Sequence, residues 1–398
     1  MTSGEEVLGR GRSGDAGRAR VVIGLIGLGL SGGLNLNVVP LMTGAFVDEL
    51  GLDASQVGTV LTVQVTIGAI VGILLSTRMH WVAARAAGLA SNAAVVAAAL
   101  GYATATGLPM LYAISVVMGC AFGVLGVCSA ATIATVDRVD RIAALVSVGI
   151  SVLVVGLTVA LAHAVGVGGR HALFLVDALC VAVSTAFLFA LPERHAPRAA
   201  DSPLPLLRTM VAPIVWVSVF LNIGSNGVWT FGERIGAALG LSAENVGDVL
   251  ALSTVLAMCG GAAAAAVARR NRERMWAMVG VVAYGLANAA VAFAPGSAFY
   301  VVANTVQAFF FVFSIPFLTA VAIALDGSGG LAAAAGGWST LIGAGAPMLA
   351  GYLIERGGFA SLGWLALATT ALAALALHSV GGRSAAPSPA MASSAPLT

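Results

Sequence analysis

Long uninterrupted apolar runs separated by short polar segments fill almost the whole chain. A helix needs roughly 20 apolar residues to cross a hydrocarbon core of about 30 Å. Twelve runs meet that length, near residues 21 to 46, 57 to 79, 84 to 105, 109 to 135, 142 to 167, 171 to 191, 209 to 235, 246 to 268, 275 to 294, 297 to 324, 330 to 353 and 359 to 380. They are continuous rather than alternating, unlike the strands of a membrane barrel. The pattern predicts an all-α membrane protein with twelve transmembrane helices.

The polar segment 192–208, PERHAPRAADSPLPLLR, holds four prolines and five charged residues. It reads as a cytoplasmic linker between a bundle over 21–191 and a second over 209–380. Residues 1–20 form a basic cytoplasmic tail, and the Pro/Ser/Ala-rich stretch 381–398 is expected to be disordered. The first run resembles a signal peptide in its basic flank, but no small-residue cleavage site follows it, so it reads as a span that stays.

Composition sharpens the picture. Of 398 residues, 59% are hydrophobic and 9% charged, against about 25% charged in soluble domains. All 19 cationic residues are arginine, because the chain has no lysine. That excludes a lysine Schiff base and a Gly-Lys-Ser/Thr phosphate loop. Gradients must drive any transport unless a separate subunit hydrolyses ATP. Cys120, Cys128, Cys180 and Cys259 lie in apolar runs without metal-ligand spacing and read as small buried hydrophobes.

Charge also orients the chain, since arginine-rich loops stay in the cytoplasm. With twelve spans and an inner N-terminus, 16 arginines fall inside and three, Arg170, Arg234 and Arg356, fall outside. Both termini are expected in the cytoplasm.

The chain repeats itself. Residues 49–61, ELGLDASQVGTVL, match 238–250, ALGLSAENVGDVL, at an offset of 189 with eight identities in 13 positions. The same offset carries Gly72 onto Gly261 and Asn37 onto Asn226. Two halves of six spans therefore enter the membrane in the same direction, as parallel repeats do in rocker-type transporters. In span count, central linker, parallel halves and the Leu-Gly-Leu-x-x-x-x-x-Gly pattern after spans one and seven, the chain resembles the major facilitator superfamily from about residue 20 to 380. Within that family it resembles the bacterial arabinose-efflux-permease-like and drug-efflux-like members. The resemblance implies two pseudo-symmetric six-helix bundles.

Two family signatures are incomplete. In the loop after span two Gly72 matches, but Ser76 replaces the acid and Met79 the second glycine, leaving Arg78 and Arg85 as nearby cations. Span five has Gly149 and Gly156 without the following proline, and a related element, Gly345-Ala346-Pro347 with Gly351, occurs in span eleven.

Polar side chains inside spans usually face a cavity or another helix. By helical rise, Asn37, Gln64, Asp177, Asn226 and Gln307 sit roughly 3 to 7 Å outward of the bilayer centre. The resemblance assigns spans one, four, seven and ten to the cavity, and hence Asn37, Asn226 and Gln307 to a substrate site. Asn35, Asn222, Asn304 and Trp229 join as further candidates beside Phe309, Phe310, Phe311 and Phe313, while amides that merely bond helices together are the rival reading. Gly68-x-x-x-Gly72 and Gly119-x-x-x-Gly123 suit close packing. Glu233 and Arg234 read as solvated charges of an outer gate, with Gly72, Gly261, Arg78, Arg85 and Pro347 as gating or packing positions. Asp177, the acid placed well inside a span, is the candidate proton-coupling group.

Enzyme chemistry finds no support: His163 and Ser151 are about 18 Å apart on one helix, and no metal cluster is present. The sequence therefore predicts a monomeric secondary transporter of the inner membrane that moves a small neutral or amphipathic solute without a cofactor. Protons are the candidate coupling ion, and export ranks modestly ahead of import. A passive facilitator, an importer and a non-transporting receptor are the alternatives. No partner is expected beyond the solute, the lipid bilayer and protons, and nucleic acid is not among them.

Overall fold

A computed structural model describes the backbone of residues 3–76, 83–133, 139–191, 209–268, 272–326 and 330–380, and their side chains except at 3–18, 33, 35, 36 and 139–145. The helices are α1 (Ser3–Leu50), α2 (Ala54–Ser76), α3 (Ala84–Thr104), α4 (Leu108–Ile133), α5 (Val139–Leu188), α6 (Pro213–Thr230), α7 (Gly232–Ala238), α8 (Ala243–Val267), α9 (Glu273–Ala292), α10 (Ser297–Asp326), α11 (Gly330–Gly343), α12 (Ala346–Gly357) and α13 (Ala360–Ser379). The basic segment expected as a tail is helical from Ser3 and runs into the first span without a break. Asp137, Arg138, the linker 192–208 and the stretch 381–398 lie outside the described residues.

Nine of these helices are long and apolar enough to cross a membrane, or ten if α6 and α7, bent by 48°, form one span. The apolar stretch Val146–Leu188 of α5 has 43 residues, which would be about 65 Å as a straight helix, twice the hydrocarbon thickness. It breaks at Gly168 and Gly169, which have non-helical backbone angles, so α5 consists of two arms. Leu74, Leu179, Val183, Trp364 and Leu375 are each more than half exposed, as lipid-facing side chains are.

The sequence repeat is written into the backbone. Adding 189 to the first residues of α2, α3 and α4 gives 243, 273 and 297, the first residues of α8, α9 and α10. Among the described residues, four glycines have positive φ: Gly51 (62°), Gly169 (57°), Gly240 (83°) and Gly358 (65°). They form two pairs at the same offset, each where a helix stops and the chain turns, a conformation that costs glycine nothing and other residues much.

Each half packs its own core. One cluster of buried apolar residues runs from Leu25 to Leu191 and includes Phe46, Tyr102 and Phe174, with ring centroids 5.2 to 5.8 Å apart. The other clusters draw their buried residues from 214–377. Several polar groups buried between helices are paired, as a low-dielectric interior favours. Tyr102 donates its hydroxyl to Gln64 Oε1 at 3.1 Å and shares a hydrogen bond with Ser115 Oγ at 2.8 Å. At the repeat-related positions, Ser253 Oγ donates to Asn304 Oδ1 at 3.0 Å. The same α2/α4 and α8/α10 crossings thus keep a polar junction while exchanging the residues that make it.

Glycines set the closest approaches. A Cβ on Gly123 would lie 2.6 Å from the Gly68 carbonyl oxygen and 2.9 Å from Val71 Cβ, so α2 and α4 touch along the Gly68/Gly72 and Gly119/Gly123 faces. Gly72 and Gly261 are looser, with nearest atoms 3.9 and 3.3 Å from an added Cβ.

Candidate functional site

The two halves meet along a seam at one end of the molecule. There α2 lies on α12: a Cβ on Gly58 would overlap the Pro347 carbonyl, and one on Gly351 the Ala54 carbonyl. The repeat-related crossing sets α8 on the first arm of α5, where Gly247 leaves no room for a Cβ beside Ala162. Positions 347 and 351 map onto 158 and 162 by the same offset of 189, and Gly247 lies near the Thr158 carbonyl as Gly58 lies near that of Pro347. Backbone therefore meets backbone at both crossings. Hydrogen bonds from Met348 N to Thr62 Oγ1 at 3.1 Å and from Ser55 N to Glu355 Oε1 at 2.9 Å cross the seam as well. An ion pair joins Arg234 Nη1 of α7 to Asp48 Oδ1 of α1 at 2.7 Å.

Below the seam lies a cavity of about 560 Å³, walled by both halves. Its lining runs from Leu61, Val39 and Pro347 near the seam to Gly72, Ile73, Ser129 and Gly337 toward the opposite helix ends. Gln64, Asn226, Thr230, Thr340 and Ser129 supply its polar surface and Trp229 and Phe122 its aromatic surface, and no charged residue is among the lining within the described residues. That volume suits a ligand of small-metabolite size.

Of the candidate site residues, Asn226, Trp229, Gln64, Gly72 and Pro347 line the cavity. Asn226 Nδ2 donates to Asn222 Oδ1 at 2.6 Å, and Asn222 rests against Gly343 of α11. Asn37 is half-buried on α1 and is not among the lining residues. Asn304 and Gln307 are buried in contacts between helices, Asn304 with Ser253 and Gln307 Nε2 with Asn288 Oδ1 at 2.8 Å. Phe309, Phe310 and Phe313 pack on one another, and Phe311 packs on Tyr284. The side chain of Asn35, and all of Arg78, lie outside the described residues.

Arg85, at the start of α3, places its guanidinium 5.4 Å above the Phe189 ring. Asp177 is fully buried in the second arm of α5, and neither carboxyl oxygen has a hydrogen-bond partner among the described residues.

Two expectations need correction. Glu233 is not solvated: it is 4% exposed, because α7 is pressed against α1 at Gly44, a neighbour from the other half. Cys259 is exposed rather than buried, since it lies on the outer surface of α8.

No protein-family profile and no curated protein matches the chain. Solved structures do. The nucleoside transporter NupG superposes with a TM-score of 0.69 at 15% identity, covering 92% of this chain and 99% of NupG, and a point mutant of NupG gives 0.68 at 16%, covering 92% and 98%. A bacterial homologue of the human lysosomal transporter Spinster, in an inward-facing and unoccupied conformation, gives 0.67 at 14% identity over 94% of this chain and 99% of that one. The chain has the major facilitator fold. At such low identity the likeness carries the fold alone, so the work of this facilitator-fold chain has to be argued from its own cavity and seam.

The seam glycines Gly58 and Gly247, which make the closest contacts between the halves, are not among the polar candidates. Their signal was present: each closes the Leu-Gly-Leu-x-x-x-x-x-Gly element that reveals the repeat.

Proposed function

We propose that the chain is a secondary transporter that carries a small neutral or amphipathic solute by alternating access. The observation that carries this reading is a cavity shared by two halves, without charge among its described lining residues, and closed by glycine-mediated contacts at one end. A buried ionic solute would need a counter-charge, and the wall offers none. Trp229 supplies an indole face, and Asn226 and Gln64 supply amides, a set suited to a solute with both an apolar surface and hydrogen-bonding groups. NupG is a nucleoside transporter, which makes uncharged nucleosides a first set of solutes to try.

In this reading the chain has twelve spans in two six-helix bundles. The two arms of α5 count as spans five and six, α6 with α7 as span seven, and α11 with α12 as span eleven. The arginine bias puts the seam outside and the open end of the cavity in the cytoplasm. Alternating access then means parting the seam and closing the cytoplasmic end around a loaded site. Asn226, Trp229 and Gln64 are the proposed substrate contacts, with Asn35 and Asn37 of span one and Asn222 of span seven as further candidates. Asn304 and Gln307 hold α8, α9 and α10 together.

Counterflow in proteoliposomes tests the reading. Vesicles preloaded with one solute of a chemically diverse neutral panel should accumulate the labelled form of that solute, and Asn226→Leu should change which solutes exchange. A panel without counterflow, or exchange confined to dianions such as phosphate esters, would remove the proposal.

A further inference from the structure

The seam holds a buried carboxyl that its surroundings serve poorly. Glu233, near the start of α7, lies against Gly44 of α1, and a Cβ at position 44 would occupy the place of its carboxyl group. Its Oε2 has no hydrogen-bond partner among the described residues. The nearest cation, Arg234 Nη1, stands 3.7 Å from Oε2 but only 2.7 Å from Asp48 Oδ1. One guanidinium therefore serves two carboxyls, and it is closer to the more exposed one.

The other elements packed on α7 add no cation. From α1 comes Asp48, whereas Glu49 is engaged by Arg170 of α5. From α8 come Glu244, which rests on Gly166, and Asp248, which is exposed. The charged residues of α9, Glu273 and Arg274, lie at its opposite end. From α10 comes Tyr300, whose hydroxyl donates to the Gly232 carbonyl at 2.8 Å.

An ionised Glu233 in this slot is a desolvated charge with a displaced, shared counter-ion, whereas a protonated one is a neutral group filling a glycine notch. Parting the seam removes Gly44 and returns the carboxyl to water, where ionisation is inexpensive. We propose that Glu233 is a proton-binding site linked to the seam: it holds a proton while the seam is closed and gives it to water at the outer face when the seam opens. One O–H bond breaks on opening and re-forms on closing, with water as acceptor and donor. The idea rests on the alternating-access reading, in which the seam parts. Because closure takes up one proton, the open-to-closed ratio should rise with pH, by at most about tenfold per pH unit.

The test uses the full chain in proteoliposomes without substrate, its native cysteines replaced, with spin labels at positions 53 and 242 on either side of the seam. The distance distribution should lengthen as pH rises. Above pH 4.5, where Glu355 stays ionised, Glu233→Gln should keep the closed-seam distribution at every pH. Asp48→Asn, which frees Arg234 for Glu233, should flatten the response, and Asp177→Asn should leave it as in the parent chain. Above pH 4.5, a pH response retained in Glu233→Gln, or a parent chain insensitive to pH, overturns the proposal. Should Glu233→Gln not assemble, an unchanged response in Asp48→Asn overturns it equally. An intact response in a chain that shows no counterflow of any solute removes the transporter reading and leaves the proton site standing.

Discussion

Gly247 shows how little space a single residue controls at the seam. A Cβ there would overlap Ala162, and the larger Gly247→Leu should oppose seam closure by about 1 to 3 kcal/mol, roughly 5- to 150-fold in the closed-to-open ratio. An engineered cysteine at Val65, on the cavity wall, should then react faster with a membrane-impermeant thiol reagent added from outside than it does in the parent chain. Glu355 acts at the same seam with the opposite sign to Glu233. The Ser55 hydroxyl and then its amide donate to the carboxylate and hold its pKa below the ordinary 4.5. The depressed value means that this contact is fully present above the ordinary carboxylate range and is lost as pH falls through the lowered pKa. Acidification below 4.5 should therefore loosen the α2/α12 crossing, and Glu355→Gln should abolish that acid-side change in the distance between labels at positions 53 and 242.

Among the elements, the α2/α4 pair depends most plainly on small residues. Gly123→Leu forces a side chain into the backbone of Gly68 and should cost about 1 to 3 kcal/mol, seen as a lowered melting temperature in detergent. Gly72→Ala, with its nearest atoms 3.9 Å away, should melt like the parent. Helices were legible in the sequence because apolar length is a local property, and the break at Gly168-Gly169 was legible because paired glycines separate two runs. The α1 helix outran its expected start because nothing in the basic segment forces a helix to end. Burial of Glu233 was not legible: it depends on Gly44, a residue of the other half brought close only by the fold. The amides divide for a similar reason. A mid-span Gln or Asn announces that it needs a partner, but whether that partner is Asn288, as for Gln307, or a solute is decided by the angle of the helix about its axis.

At the scale of the whole molecule, the proposed topology predicts sidedness. Cysteines introduced near Asp53, Arg170, Ser242 and Gly357 should label from outside intact cells, whereas those near Arg138, Pro203 and Arg272 should need permeabilised cells; labelling at 203 from outside would undo the arrangement of two halves joined by a cytoplasmic linker. The uncharged cavity wall also has an electrical meaning. A membrane potential does about 2.3 kcal/mol of work per elementary charge per 100 mV, and a neutral solute carried past uncharged walls presents nothing for it to act on. Any steady current during solute flux would have to be carried by a coupled ion. Because the Glu233 proton leaves to and returns from the outer face, it carries no net charge across the membrane, and recordings on a solid-supported membrane should show no steady current during solute exchange in the parent chain or in Glu233→Gln.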